Sequence, residues 1–193
     1  MAKKVLVFAD IRRGKLRNVT LEMLGAAVTA SDGGEIAVLL VGKDVSGFAN
    51  GLGDAGADHV FVVDAPELAH YTPGAYKKAF MAAYQAFAPD VIFFSHSAVG
   101  KDLAPTVAMR IGAGQVSDAV ALAVEAGTLT FHRPIYAGKA FTKVQITDGA
   151  IVATIRPNNI APVEASQGKP GTLKTLEVSF EAQDLSSMVQ IIR

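Results

Sequence analysis

Residues 90–111 read DVIFFSHSAVGKDLAPTVAMRI. Val91-Ile-Phe-Phe94 is an unbroken apolar run, as expected of a strand buried on both faces. After the polar step Ser95-His-Ser97, residues 103–111 return to a helical pattern. A strand that feeds a helix in this way is half of a βαβ unit. The same succession recurs towards the N-terminus, with strands at residues 3–9 (KKVLVFA), 35–41 and 59–63. Between them lie helical patterns. Asn18 serves as a cap, Glu22 sits near the positive end of the dipole, and Leu21, Leu24 and Val28 form a stripe. Ser31-Asp-Gly-Gly34 ends that helix. A short helix is expected over residues 48–55. Thr72-Pro73 opens a longer one whose apolar face runs Tyr76, Phe80, Tyr84, Phe87, with Pro89 stopping it. Strand and helix thus alternate four times, which predicts an α/β fold: a parallel sheet flanked by helices.

Towards the C-terminus the helical signal fades after Gly114. Residues 116–124 are mostly apolar, and residues 128–133, 139–147 and 150–156 read as strands. Asp148-Gly149 is a strong hairpin turn between the last two. Residues 157–171 read as a connector and 172–180 as a last strand. The expectation is one domain over residues 1–193, with an α/β core to about 127 and a β-rich antiparallel C-terminal extension and linker from about 128.

Composition excludes several classes. Lys+Arg and Asp+Glu both number 18, so no net charge draws the chain to nucleic acid or to a membrane surface. There is no cysteine, hence no disulfide and no thiolate chemistry. The longest aliphatic run, Ile36-Ala-Val-Leu-Leu-Val41, is too short for direct membrane insertion. A strand beginning at Lys3 leaves no room for a signal peptide, so a cytoplasmic location is expected.

Gly51-Leu-Gly-Asp-Ala-Gly56 matches a dinucleotide pattern, but it precedes a strand instead of following one. The edge beyond the carboxyl ends of the strands is the better place for a ligand. Asp10, Ser95, Ser97 and Lys101 lie there and form a candidate nucleotide or phosphate pocket. The plainer alternative is that Ser95 and Ser97 cap the turn while Lys101 is solvated. His96, near Ser95, Ser97 and Asp102, raises the thought of a hydrolase triad, but no oxyanion motif accompanies it. His59, His70, His96 and His132 show no metal-ligand spacing. No catalytic residue and no metal ligand is therefore assigned. Between Thr128 and Pro157, Arg133, Lys139, Lys143 and Arg156 face one acid, Asp148. Such a segment is either a guarded edge or a docking surface anchored by Arg133, Tyr136 and Lys139.

Several strings occur in order: Ala9-Asp10, Gly14-Lys-Leu16, Thr20-Leu-Glu-Met-Leu24, Ser97-Ala-Val-Gly-Lys-Asp-Leu-Ala-Pro105, Ser117-Asp118, Arg133-Pro-Ile-Tyr-Ala-Gly-Lys-Ala140 and Ile155-Arg-Pro-Asn158. Together they resemble the N-terminal domain of the alpha subunit of electron transfer flavoprotein. The resemblance implies a Rossmann-type, adenine-nucleotide-hydrolase-like fold that serves mainly as a scaffold. It implies a heterodimer with a beta subunit. FAD in that complex carries electrons from acyl-CoA-type dehydrogenases, as in fatty acid β-oxidation, to a quinone oxidoreductase or another acceptor. In that family FAD is held mostly by the alpha subunit's second domain. Here the sequence ends at Met188-Val-Gln-Ile-Ile-Arg193, and no flavin motif can be carried onto any position. FAD binding by this segment alone is therefore not expected. The alternative function is a stand-alone nucleotide-binding protein.

Overall fold

The computed structural model describes residues 2–163 and 171–186. Its elements follow in chain order. Strand β1 (Val5–Phe8) leads to a small hairpin of β2 (Ile11–Arg12) and β3 (Lys15–Leu16), then helix α1 (Val19–Ser31) and β4 (Ile36–Gly42). Next come β5 (His59–Asp64), α2 (Pro73–Phe87), β6 (Val91–Ser95) and α3 (Ala98–Ile111). Strands β7 (Gly114–Ala119), β8 (Ala121–Glu125), β9 (Thr128–Ile135), β10 (Ala140–Gln145), β11 (Ile151–Ile155) and β12 (Thr172–Thr175) complete the chain.

The main sheet has seven strands in the order β12-β5-β4-β1-β6-β11-β7, every neighbouring pair parallel. Its central strands are continuous apolar runs because both faces are covered. Val5 and Val7 point into one core layer, Leu6 and Phe8 into the other. One face carries α2 and α3. The other carries α1 and, beside it, a three-stranded antiparallel sheet, β10-β9-β8. Phe131 of β9 drives into this second interface and meets Phe93 of β6 edge-on, 6.4 Å between ring centres.

The α/β sheet and the antiparallel strands are those expected, but the chain is divided between them differently. The core does not stop near residue 127. Strand β11 lies inside the main sheet between β6 and β7, and β12 extends the other edge. Asp148-Gly149 does turn the chain, with Gly149 at φ 75, yet it does not close a hairpin with β10. The antiparallel partner of β10 is β9, reached across the turn Tyr136–Gly138. Burial gives the reason. All five residues of β11 are buried, as a central parallel strand requires, whereas β10 alternates as a half-exposed strand does.

Smaller corrections follow the same logic. Residues 48–55 form no α-helix; a 3-10 turn covers Ser46–Ala49 and irregular turns follow. Helix α3 starts at Ala98, earlier than Leu103, because Ser97 takes an extended N-cap conformation. On α1, Val28 is exposed and small side chains, Ala26, Ala27 and Ala30, face the sheet. The outer side of α1 is crossed by a strap at residues 158–163. A Cβ on Gly25 would sit 2.2 Å from the Ala161 carbonyl oxygen, so only glycine admits that crossing. Asn18 does not cap; its Nδ2 donates to the buried Glu22 carboxylate at 3.1 Å, whose other oxygen accepts from Asn158 N at 2.7 Å. Thr72 likewise provides no side-chain cap to α2. The connector assigned to residues 157–171 is described only in part, and the terminal Met188–Arg193 segment lies outside the described residues.

Candidate functional site

Strand order reverses around β1: β4 and β5 lie to one side, β6 and β11 to the other. The crevice at the carboxyl ends of β1 and β6 is where an open parallel sheet offers a ligand site. A cavity of about 230 Å³ opens there, lined among others by Phe8, Asp10, Arg12, Tyr71, Tyr76 and Ser95. Asp10 and Ser95, 85 positions apart in sequence, meet at its floor, the Ser95 hydroxyl donating to Asp10 Oδ2 at 2.6 Å. Ser95 is almost wholly buried. Ser97 is the N-cap of α3, its Oγ accepting from Gly100 N at 3.4 Å, and it too lines the cavity.

Three of the four residues expected at this edge are therefore brought together. Lys101 is not. It is exposed on the first turns of α3 and does not line the cavity. The cations at the crevice come instead from the β2–β3 hairpin, where Arg12 and Arg13 overhang it. A signal for them was present in the string Ile11-Arg-Arg-Gly-Lys15 directly after the first strand. The aromatic wall was disguised, because Tyr76 belongs to a stripe that also reads as helix core. Tyr71 packs edge-on against Tyr76 at 4.8 Å and donates its hydroxyl to Asp102. Burial, reinforced by that carboxylate, pushes the Tyr71 phenol well above its ordinary pKa, so it stays protonated.

A second cavity of about 310 Å³ adjoins the first across Asp10, Ile11, Arg12, Ser97 and Val99, and reaches Arg17 and Asn158. Neither cavity is lined by the Gly51–Gly56 string. The Gly51–Gly56 string lies in the turns before β5, so no helix N-terminus follows it. Gly100 lets the start of α3 pack closely on the end of β6, since a Cβ there would fall 1.8 Å from the Ser95 carbonyl oxygen.

His96 does not join a triad. Its Nδ1 lies 2.9 Å from Thr154 Oγ1, and its Nε2 lies 3.5 Å from Asp118 Oδ1. Asp102 is occupied by Tyr71, and Ser95 by Asp10. Asp118 in turn accepts a forked pair of hydrogen bonds from Arg156, one from Nε at 2.7 Å. Burial lowers the His96 pKa against the pull of Asp118, and the Arg156 fork holds the Asp118 carboxyl below the usual range.

Arg133 turns inward, while Tyr136 and Lys139 stand together at the turn, Lys139 N donating to the Tyr136 carbonyl at 3.2 Å. Arg133 shares the inward face of β9 with Phe131, and its buried Nε meets no acceptor among the described residues. Tyr136 and Lys139 project at the turn, Tyr136 with 78% of its surface exposed. Phe141, on the outward face of β10, is 66% exposed. The basic excess of the segment is smaller than its sequence suggests, since Lys143 pairs with Glu125 at 2.7 Å and Arg156 with Asp118.

A family model, the electron transfer flavoprotein domain, matches residues 5–181. The electron transfer flavoprotein subunit alpha of Bacillus subtilis is 42% identical over 190 residues, covering 98% of this chain and 58% of that protein. The subunit of the same name from Syntrophomonas wolfei is 38% identical over 151 residues, 78% of this chain and 47% of the relative. The acryloyl-CoA reductase electron transfer subunit beta of Anaerotignum propionicum is 29% identical over 98% of this chain and 55% of its own length. The chain thus spans a little over half the length of the longest-matching of these relatives.

Proposed function

Because this chain belongs to the electron transfer flavoprotein family, we propose that it is the assembly portion of an alpha-type subunit and grips a beta-type subunit in a heterodimer. Within that complex FAD carries electrons from acyl-CoA-type dehydrogenases to a quinone oxidoreductase or another acceptor, in the cytoplasm. This segment is non-catalytic and FAD is held outside it. The orientation of the Gly51–Gly56 turn, which precedes a strand and opens no helix, supports that assignment. No helix among the described residues is long and apolar enough to cross a membrane.

The observation that carries the proposal is the tip of the β9–β10 hairpin. Two large aromatic side chains, Tyr136 and Phe141, stand exposed next to Lys139 on a sheet whose opposite face is core. Exposed aromatics of this kind are the usual anchors of protein interfaces. Arg133, half-buried near His96 and Asp118, stands at the base of the hairpin. The test is titration of the chain with a beta-type subunit of the family. Tyr136→Ala and Phe141→Ala should each weaken association about tenfold, on the order of 1–2 kcal/mol, and Lys139→Glu should weaken it at low salt. Unchanged affinity in all three variants, with unchanged circular dichroism, would reduce the hairpin to a guarded edge.

A further inference from the structure

Arg133 carries a charge that the fold does not neutralise. It lies on β9, opposite Thr142 of β10, on the face that packs towards the main sheet. The side chain is half-buried, its Nε is sealed from solvent, and it makes no hydrogen bond or ion pair among the described residues. Asp118, the carboxylate whose pKa it helps to lower, is already spent, since both its oxygens take the Arg156 fork. His96 offers no charge of the right sign. Burial first, then Lys101, Arg156 and Arg133, hold its pKa down against Asp118. Lys101 and Arg156 are exposed and meet water, so the cation left sheltered and uncompensated is Arg133. A sheltered lysine can shed its proton, but a guanidinium cannot. Its burial therefore stays costly until an anion arrives from outside.

We infer that Arg133 is the socket for a carboxylate side chain, aspartate or glutamate, of the beta-type subunit. This rests on the assembly reading and adds to it the chemistry of one contact. Nε is the one nitrogen of Arg133 that is buried without a partner, so its two terminal nitrogens keep an open side. A carboxylate meets such an edge end-on, through two parallel hydrogen bonds. One guanidinium calls for one negative charge; a phosphate dianion would overshoot it and be repelled by Asp118. A free carboxylate would lose its translational freedom for a single contact, whereas one carried on a subunit arrives with the rest of a docked surface. The strand that holds Arg133 runs directly into the exposed turn at Tyr136, so the cation is continuous with the proposed interface. Docking also has an electrostatic consequence. Neutralising Arg133 removes one of the charges that hold His96 down, so the His96 pKa rises in the complex. By reciprocity, protonation of His96 tightens the complex, and association strengthens as pH falls through that pKa.

The experiment combines thermal unfolding of the chain alone with calorimetric titration against a beta-type subunit of the family. Arg133→Met keeps the length of the side chain and removes its charge. The melting temperature of the chain alone should stay level or rise, because no partner is lost, while association weakens at least tenfold. A residue with a purely structural task would move the two readouts together. Arg133→Glu should weaken association further, and an acid-to-arginine change at one position of the beta-type subunit should restore binding to that variant while weakening binding to the original chain. In NMR titrations the His96 ring midpoint should move up both in Arg133→Met and in the complex. The inference is overturned if Arg133→Met lowers the melting temperature of the chain alone by several degrees, or if no acid-to-arginine change rescues Arg133→Glu. It is overturned alone, with the assembly role standing, if Arg133→Met binds the beta-type subunit normally while Tyr136→Ala and Phe141→Ala do not. A chain that shows no association with any beta-type subunit overturns both.

Discussion

Asp118 shows how much one residue can organise. It adopts a left-handed backbone, φ 65, where the chain leaves the main sheet for the antiparallel one. Its amide donates to Thr154 Oγ1 at 2.9 Å, and its carboxylate takes the Arg156 fork with His96 close by. The Arg156 fork, working against burial, lowers the Asp118 pKa from the ordinary 3.8. A carboxyl depressed in the folded state stabilises the protein above its unfolded pKa, and that contribution is lost as pH falls through the folded value. His96 is depressed by burial from 6.5, so its neutral form favours folding above that pH and loses this benefit as pH falls below it. Arg156→Met should therefore cost about 1 kcal/mol at neutral pH. It should also flatten the acid limb of stability below pH 3.8, and make the shallower decline below 6.5 gentler, because Arg156 also lowers His96. Urea melts from pH 3 to 8 test this; a parallel offset at every pH would assign Arg156 a packing role only. The Ser117-Asp118 pair and Ile155-Arg-Pro-Asn158 were conspicuous as strings, but nothing in their spacing said that they touch.

At the scale of elements, the antiparallel sheet occupies a place that a helix fills in a regular α/β layer. It is held there by Phe131, Leu129, Leu122 and Val144 packing on the main sheet. Phe131→Ala removes a wholly buried ring that bridges the two sheets and should cost about 3–5 kcal/mol. Hydrogen exchange should then quicken in β8, β9 and β10 before it does in β1 and β4; uniform acceleration would show that the two sheets unfold as one unit. The same elements show what was legible. The contrast between the continuous burial of residues 151–155 and the alternation of residues 140–145 is written in the sequence as IVATI against AFTKVQ. The Asp148-Gly149 turn obscured it, because a local turn signal says that the chain reverses and does not say which strand receives it.

Over the whole molecule, the last described segment works as a clamp. Strand β12 covers the β5 edge of the main sheet, and the chain beyond it lays Leu176, Val178, Phe180 and Leu185 over the α2 side of the core. Lys78 of α2 pairs with Asp184 at 2.7 Å, and Gly74 lets the Asp184 backbone approach, since a Cβ there would stand 2.6 Å from its carbonyl oxygen. Removing residues 171–193 should uncover the β5 ladder and a strip of apolar surface together. The expected outcome is a melting temperature lower by several degrees and a concentration-dependent shift to larger species in size-exclusion chromatography. A truncated chain that stays monomeric and equally stable would show that the clamp contributes nothing to the fold.

The sequence by itself determined the layer architecture and the family. Continuous apolar runs can be satisfied only by strands buried on both faces, and the ordered strings from Ala9 to Asn158 needed no coordinates to be recognised. Tertiary structure alone decided that β11 enters the main sheet and that Arg133 turns inward. It also decided that Asp10, Ser95, Tyr71 and Arg12 share one cavity that Lys101 does not line. The physical reason is that periodicity encodes how deeply a residue is buried, through local geometry. Which distant residues it meets depends on strand order and register, which are settled by packing across the entire chain.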